Sequence, residues 1–497
     1  MGRKVAIIGA GFSGLSAACY LAASGHEVHI FEKNEQVGGR ARQFTTPEGF
    51  RFDMGPSWYW MPDVLEEFFA DFGHTVAEFY KLTALNPQFE MVFEKNTVDV
   101  PANTAAMRAL FEDIEPGAGV KFDRFMEAAK YKYEVGMKDF VTKPCHSWLE
   151  FMDLKIVKSA WKLNLLTDFR RYVRQYFTDS RLVALMEFPV IFLGAAPKDI
   201  PAMYSLMNYG GYGLGTWYPD GGFVKVAQAM AQVATRLGVQ IHLHASVDRV
   251  LLEADQAVGL QINGEIIPCD YVIGSADYQH VESLLPVRYR NYTDRYWEQR
   301  TFAPSCLIYY LGFSEKIPGL RHHTLFFEHP LEEHVRHIYE DKSWPEKPLF
   351  YVCCPSKTDA HVAPGGGENV FLLMPIATGL DDAEDRREYY FEEMINRLEK
   401  HTCSSDLRDK LLYKRSYCVQ DFKEDYHAYQ GNAYGLANTL GQTAVWKPAI
   451  KNKRVKNLFY TGQLTVPGPG VPPAIISGKI VAQEINNINQ PRHEKIV

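Results

Sequence analysis

The chain has 497 residues, with 53 Lys and Arg against 60 Asp and Glu and a net charge of −7, so no global basic field points to nucleic acid. An apolar share of 46% and a charged share of 23% are ordinary for a soluble protein, and the length suits two or three interleaved domains rather than one small core. The 28 Tyr, 30 Phe and 8 Trp could line a large apolar cavity, although composition by itself favours an aromatic-rich core. No apolar run approaches the ~18 residues of a membrane span. Met1–Gly14 does not read as a signal peptide, because Val5–Ile8 runs straight into glycines. The expectation is a cytoplasmic chain, free or attached to a membrane surface without crossing it. The eight cysteines contain no C-x-x-C pair and read as reduced thiols; Cys353 and Cys354 point opposite ways if they lie on a strand.

In chain order, Val5–Ile8 predicts a strand, Gly14–Ser24 a helix of small residues stopped by Gly25, and Val28–Phe31 a second strand, together a βαβ unit. Phe89–Val100 alternates like a hairpin. Helices follow over Thr104–Tyr133, broken at Glu115–Gly119, and over His146–Tyr176. Phe188–Pro197 is an apolar run interrupted by Gly and Pro. Tyr209–Thr216, glycine-rich and aromatic, reads as a loop, and Phe223–Leu237 as a helix. Strands are expected at Val239–Leu243, Val247–Leu252, Ala257–Ile262, Tyr271–Gly274, Cys306–Phe313, Leu349–Cys354, Val370–Met374 and Leu458–Thr461. Helices are expected at Arg386–Glu399 and Ala474–Asn486, and Gln490–Val497 reads as a frayed polar tail.

Nucleotide-type βα units thus sit at both ends. The expected fold is α/β, α+β in part, with a Rossmann-like domain assembled from separate segments. The expected division is a first cofactor segment at 1–88, a substrate and helical region at 89–214, a second cofactor segment at 215–300, a substrate-domain sheet at 301–430 and a third cofactor segment at 431–497.

Four motifs carry chemistry. Gly9-Ala10-Gly11-Phe12-Ser13-Gly14 follows a strand and opens a helix: Gly9 permits the tight turn, Gly11 a close approach to a pyrophosphate, and Gly14 tight helix–strand packing. The helix start then faces phosphate charge, and Glu32 closes the next strand where an acid would hold ribose hydroxyls. This says dinucleotide without choosing which. Gly38-Gly39-Arg40 comes six residues after Glu32 and resembles the glycine doublet that follows the fingerprint in many FAD proteins; Arg40 can offer a planar guanidinium to phosphate. Phe52-Asp53-Met54-Gly55-Pro56-Ser57-Trp58 is, by itself, a turn with an acid and an aromatic. Asn457–Gln463 followed by Pro467-Gly468-Pro469-Gly470-Val471-Pro472-Pro473 is a strand, a proline-stiffened loop and a helix start, able to stabilise negative charge on a reduced flavin.

With these motifs, and with Gly215–Gly222 and Ala276-Asp277, the chain resembles the bacterial carotenoid desaturase family, in particular its phytoene desaturases, within the amine-oxidase-like flavoproteins. The resemblance covers nearly the whole chain. It implies non-covalent FAD held by Gly9, Gly11, Ser13, Gly14, Glu32, Lys33, Gly39, Arg40, Gly55, Pro56, Ser57, Val247, Gly462, Gln463 and Val471. Many members of the wider group carry an acid where this chain has Gln463, which departs from the ribityl contact the resemblance implies.

The implied chemistry is hydride loss from phytoene to flavin N5, giving an allylic cation, then loss of a neighbouring proton, in successive steps toward neurosporene or lycopene. Such a cation is a strong acid, so a weak base suffices, and no residue is singled out as the base. His322, His323, His334 and His337 read as surface residues, with no metal-ligand motif. Without a second dinucleotide fingerprint, oxygen or a membrane quinone is the expected electron acceptor. Leu154–Arg174 interleaves Lys155, Lys158, Lys162, Arg170, Arg171 and Arg174 with apolar positions against one acid, Asp168, so 146–176 is a candidate membrane-surface helix. A polyene that lives in the bilayer would be collected there. Competing readings are another carotenoid enzyme (a later-carotene desaturase, isomerase or ketolase), a flavin amine oxidase, and a non-catalytic lipid-binding chaperone. Oligomeric state is not legible.

Overall fold

The computed structural model describes residues 2–147, 150, 163–164, 167–191 and 194–489. Strand Lys4–Ile8 lies in the middle of a five-stranded parallel sheet ordered Leu458–Tyr460, Tyr271–Gly274, Lys4–Ile8, Glu27–Phe31, Gln240–His242. Its side chains are buried on both faces, Val5 and Ile7 in one apolar cluster and Ala6 and Ile8 in another. That is why the strand reads as a continuous apolar run rather than an alternating one. Helix Phe12–Ala23 follows directly and ends at Gly25, whose φ of +85° is open to glycine. The last helix, Val471–Asn489, crosses it so closely that a Cβ on Gly478 would stand 2.4 Å from Ser13 O, and Ser16 Oγ donates to Ile475 O across the same crossing at 2.7 Å. The two ends of the chain therefore meet at one place.

The second large sheet has seven strands in the order Leu411–Tyr417, Ser305–Phe313, Glu368–Ile376, Phe350–Cys353, His323–Phe326, Phe89–Val92, Thr97–Val100. All its pairings are antiparallel except His323–Phe326 with Phe89–Val92. One face packs on helix Glu384–Thr402 through Tyr390, Phe391, Met394 and Ile395; the other faces the main core. Cys353 and Cys354 fall on opposite faces, and all eight cysteines are free. A three-stranded antiparallel sheet, Val247–Glu253, Gln256–Ile262 and Glu265–Pro268, joins the strand Gln240–His242 to Tyr271–Gly274.

Several expectations need correction. Tyr209–Gly213 is a short π-helix rather than a loop; Gly211 belongs there because a Cβ would meet the Trp60 ring at 2.9 Å. Ser180–Ile191 is a helix that tolerates Pro189. Strands His323–Phe326 and Leu411–Tyr417 and helices Pro62–Asp71 and Leu331–Tyr339 were not anticipated. Of the long helix expected over 146–176, the described part is Phe169–Arg174, N-capped by Asp168 through Arg171 N; His146 and Ser147 are not helical. Phe151, Leu154, Lys155, Lys158, Trp161, Lys162 and Leu165 lie outside the described residues, as does the tail 490–497. Among the described residues no helix is long and apolar enough to cross a membrane.

Candidate functional site

The parallel sheet and the seven-stranded sheet share one continuous cavity of about 420 Å³. At its first end stand the glycines of the fingerprint. Gly9 turns at φ +103°, and Gly39, at φ +57°, sits so close to Gly11 that a Cβ would come 3.3 Å from the Gly11 Cα. Glu32 is buried; its Oε2 accepts from Ala10 N at 2.8 Å and its Oε1 from Asn34 N at 3.0 Å. The carboxylate expected to hold ribose hydroxyls thus also fixes the backbone at Ala10, inside the glycine turn. Ser13 Oγ and Ser275 Oγ share a hydrogen bond of 2.8 Å beside it. Gly14 does not line the cavity: a Cβ there would stand 2.3 Å from Gly9 O, so its role is helix–strand packing. Every other residue expected to hold the cofactor borders the cavity, including Val247, Gly55, Pro56, Ser57, Gly462 and Val471. Lys33 does too, although its amine donates to the Glu424 carbonyl.

Arg40 is the charged centre of this end. Its Nη2 donates to Asn432 O at 3.1 Å, and its guanidinium stands 5.2 Å from the Tyr426 ring centre. Gln463, with its amide oxygen turned to the guanidinium, accepts from Nη2 at 2.9 Å and Nη1 at 3.0 Å. The glutamine that departs from the acidic pattern thus holds the arginine. Burial pushes the Arg40 guanidinium down from its ordinary value, opposed by the Asp277 carboxylate; burial likewise pushes Asp277 up, opposed by Arg40. Arg40 Nε is buried with no partner among the described residues. A cradle of side-chain-free backbone, a helix start, a buried guanidinium with a spare donor and an acid at the strand end together fit an anionic dinucleotide. Tyr426, Asn432 and the stacked pair His280 and His427, 3.9 Å between ring centres, were missed in the sequence, where nothing but resemblance marks them.

Past Gly55 and the loop Pro469–Pro473 the walls turn apolar. Trp58, Trp60, Phe188, Ile308, Leu325, Phe327, Leu349, Leu373 and Tyr434 border the cavity there. Helix Leu331–Tyr339 closes the chamber with Leu331, His334, Val335 and Ile338, which recur at i, i+3, i+4 and i+7. That periodicity was readable in the sequence. His334 is not a surface residue: Nδ1 accepts from Leu349 N at 2.9 Å and Nε2 donates to Pro375 O at 2.8 Å, and burial pushes its pKa down to about 4. His322 and His323 are buried as well, because Trp58 stacks on His323 at 4.1 Å and Tyr218 packs on His322. His337 is half-buried. The acids that border the cavity, Glu32, Asp277 and Asp425, all lie at the fingerprint end.

Comparison with known proteins agrees with this geometry. The model of the family described as flavin containing amine oxidoreductase matches residues 12–486. The carotenoid 3,4-desaturase of Haloarcula japonica is 39% identical over 487 residues, covering 97% of this chain and 98% of that one. The zeta-carotene-forming phytoene desaturase of Myxococcus xanthus is 29% identical over 493 residues, covering 97% and 94%. Among solved structures, a putrescine oxidase bound to putrescine superposes with a TM-score of 0.58 at 14% identity over 98% of this chain and 99% of that one, a likeness of fold.

Proposed function

The chain belongs to the flavin containing amine oxidoreductase family and, within it, to the carotenoid desaturases, and from that premise we propose that it dehydrogenates an acyclic carotenoid at the C3–C4 bond near the end of its chain. The observation that carries the reading is the continuity of the cavity, from a glycine-and-arginine cradle straight into an apolar aromatic chamber. FAD, when bound, supplies the hydride acceptor. Gly9, Gly11, Gly39 and Arg40 would hold its pyrophosphate, and Gly462 and the Pro469–Pro473 loop its ring end.

The protein's own part is to align a saturated carbon pair with that ring end and to exclude water while charge develops. Trp58, Phe188 and Phe327 do both by offering flat apolar walls to a polyene. In so apolar a chamber an amine's positive charge would want a carboxylate beside it. Among the described residues no acid borders the chamber, which disfavours an amine substrate.

The C3–C4 position is favoured over phytoene by the higher identity, 39% against 29%, to the relative named for that bond. Phytoene remains the second reading, supported by a phytoene desaturase that matches 97% of this chain. The substrate would come from the bilayer to the basic segment Leu154–Arg174, with oxygen or a membrane quinone reoxidising the cofactor. The test offers FAD-loaded protein two sets of liposomes, one with phytoene and one with lycopene. Red-shifted product from lycopene and none from phytoene supports C3–C4 desaturation; the converse overturns it in favour of phytoene.

A further inference from the structure

Dehydrogenating a –CH₂–CH₂– unit removes one hydride, which an oxidised flavin accepts, and one proton, which the protein must take. The chamber walls are almost wholly hydrocarbon, so the proton needs a defined acceptor. We propose that the hydrogen-bonded chain Ser57–Tyr351–His323 accepts that proton at the cavity wall and that His322 passes it to Thr358 at the surface. This rests on the dehydrogenase reading above.

Ser57 and Tyr351 both border the cavity. Ser57 follows Gly55, which is pressed against the Arg40 backbone so that a Cβ would come 2.4 Å from its carbonyl oxygen; the chain therefore starts beside the cofactor cradle. Ser57 Oγ and Tyr351 Oη are 2.9 Å apart, and Tyr351 Oη lies 2.7 Å from His323 Nδ1. On the far side, His322 Nδ1 lies 2.6 Å from Thr358 Oγ1, and Thr358 is half-buried where His322, His323 and Tyr351 are buried. Between the two halves, the imidazole rings are 4.5 Å apart at their centres. Both Nε2 atoms are buried without a partner among the described residues. A donor atom from each ring and the Cys353 sulfur lie within 4.8 Å of one another. A small cavity of about 20 Å³ touches Ser57 and Cys353, room for one water.

A network that served packing alone would close its hydrogen bonds. This one leaves an Nε2 atom unpartnered among the described residues on each of two imidazole rings whose centres are 4.5 Å apart. The tautomers needed are complementary: His323 accepts the Tyr351 hydroxyl at Nδ1 and carries its proton on Nε2, while His322 donates from Nδ1 to Thr358 and leaves Nε2 free. When the second C–H bond breaks, its electron pair becomes the new C=C. The released proton goes to Ser57 Oγ as the Ser57 proton moves to Tyr351 and the Tyr351 proton to His323 Nδ1. The imidazolium then sheds its Nε2 proton toward His322, whose Nδ1 proton moves to Thr358 Oγ1 as the Thr358 hydroxyl proton leaves to bulk water. Burial pushes His322 down to about 3 and His323 well below its ordinary value, so neither ring holds the proton it receives. An allylic cation is acidic enough for so weak an acceptor.

Tyr351→Phe keeps the ring and cuts the chain. The expected result is a kcat lowered by about 10²-fold with KM and FAD affinity unchanged. In ¹⁵N-histidine NMR of the protein without substrate, the shift of His323 Nδ1 should change, and metal analysis should find no stoichiometric ion. Ser57→Ala, cutting the chain at its cavity end, should repeat the kcat loss if Tyr351→Phe fails to fold. Wild-type kcat in both variants, an unperturbed His323 resonance in Tyr351→Phe, or one metal ion per chain lost on His323→Ala would overturn the relay. Absence of desaturation in the wild-type protein, with the NMR shift observed, would instead count against the dehydrogenase reading.

Discussion

Gly11 and Gly39 touch across the cavity floor: a methyl group on Gly39 would stand 3.3 Å from the Gly11 Cα, at a backbone φ of +57°. Two motifs separated in sequence thus form one cradle, which only backbone can line. Gly39→Val should weaken FAD binding at least about tenfold, since an L side chain in the left-handed region costs about 1–2 kcal/mol before any clash is counted. Flavin fluorescence titration measures it, with circular dichroism showing that the chain still folds. Undiminished affinity would mean that the cradle does not seat the pyrophosphate.

The fingerprint was legible because its constraint is local. A turn that needs glycine, a helix start and an acid at the next strand end all lie within Gly9–Glu32, and the structure keeps them together. The convergence of Gly462 and the Pro469–Pro473 loop on the same cavity was legible only through resemblance, since nothing near Gly462 says that the last helix crosses the first at Gly478. His322 and His323 were misread because a short strand between Arg321 and Phe327 carries too little pattern to announce burial; the burial comes from Trp58 and Tyr218, distant in sequence. The helix Leu331–Tyr339 was readable and was passed over because its charged face, Glu332, Glu333 and Arg336, dominates the composition.

Asp53 should make stability fall as pH rises through mildly acidic values. Its carboxylate is buried beneath the turn at Gly222, and burial raises its pKa to about 6 against the N–H groups of Phe223 and the Gln43 amide. The unfolded chain titrates at the ordinary aspartate value, so between about pH 4 and 6 the folded protein holds the extra proton and loses stability as it ionises. This contribution is full below that window and lost above it, on the order of 2–3 kcal/mol. Asp53→Asn, tested by urea unfolding at pH 4.5 and 7, should flatten that part of the profile; an unchanged pH slope would place the titration elsewhere.

Val335 faces the chamber from helix Leu331–Tyr339 and is nearly inaccessible to solvent. Val335→Trp should fill the chamber, leaving FAD binding within about twofold of wild type and cutting desaturation at least tenfold, as expected where reacting atoms are displaced by an ångström or more. Product chromatography against flavin content separates the two effects. Loss of both together would mean that the chamber and the cradle are not separable.

The basic run Lys155, Lys158 and Lys162 should bind anionic bilayers, at about 1 kcal/mol per lysine near the surface. Reversing all three to glutamate should abolish flotation with phosphatidylglycerol vesicles at low salt and leave flavin content unchanged. Equal flotation of both proteins would remove this segment from membrane binding.

The central claim, that the cradle and the chamber together dehydrogenate a carotenoid, is tested most directly under anaerobic conditions. FAD-loaded protein is mixed with liposomes holding lycopene or phytoene, and flavin and polyene absorbance are followed together. The expected result is bleaching of the flavin band with one new double bond per flavin reduced, seen as a red-shifted polyene spectrum. A flavin that stays oxidised with either carotenoid, in protein that binds FAD fully, would contradict it.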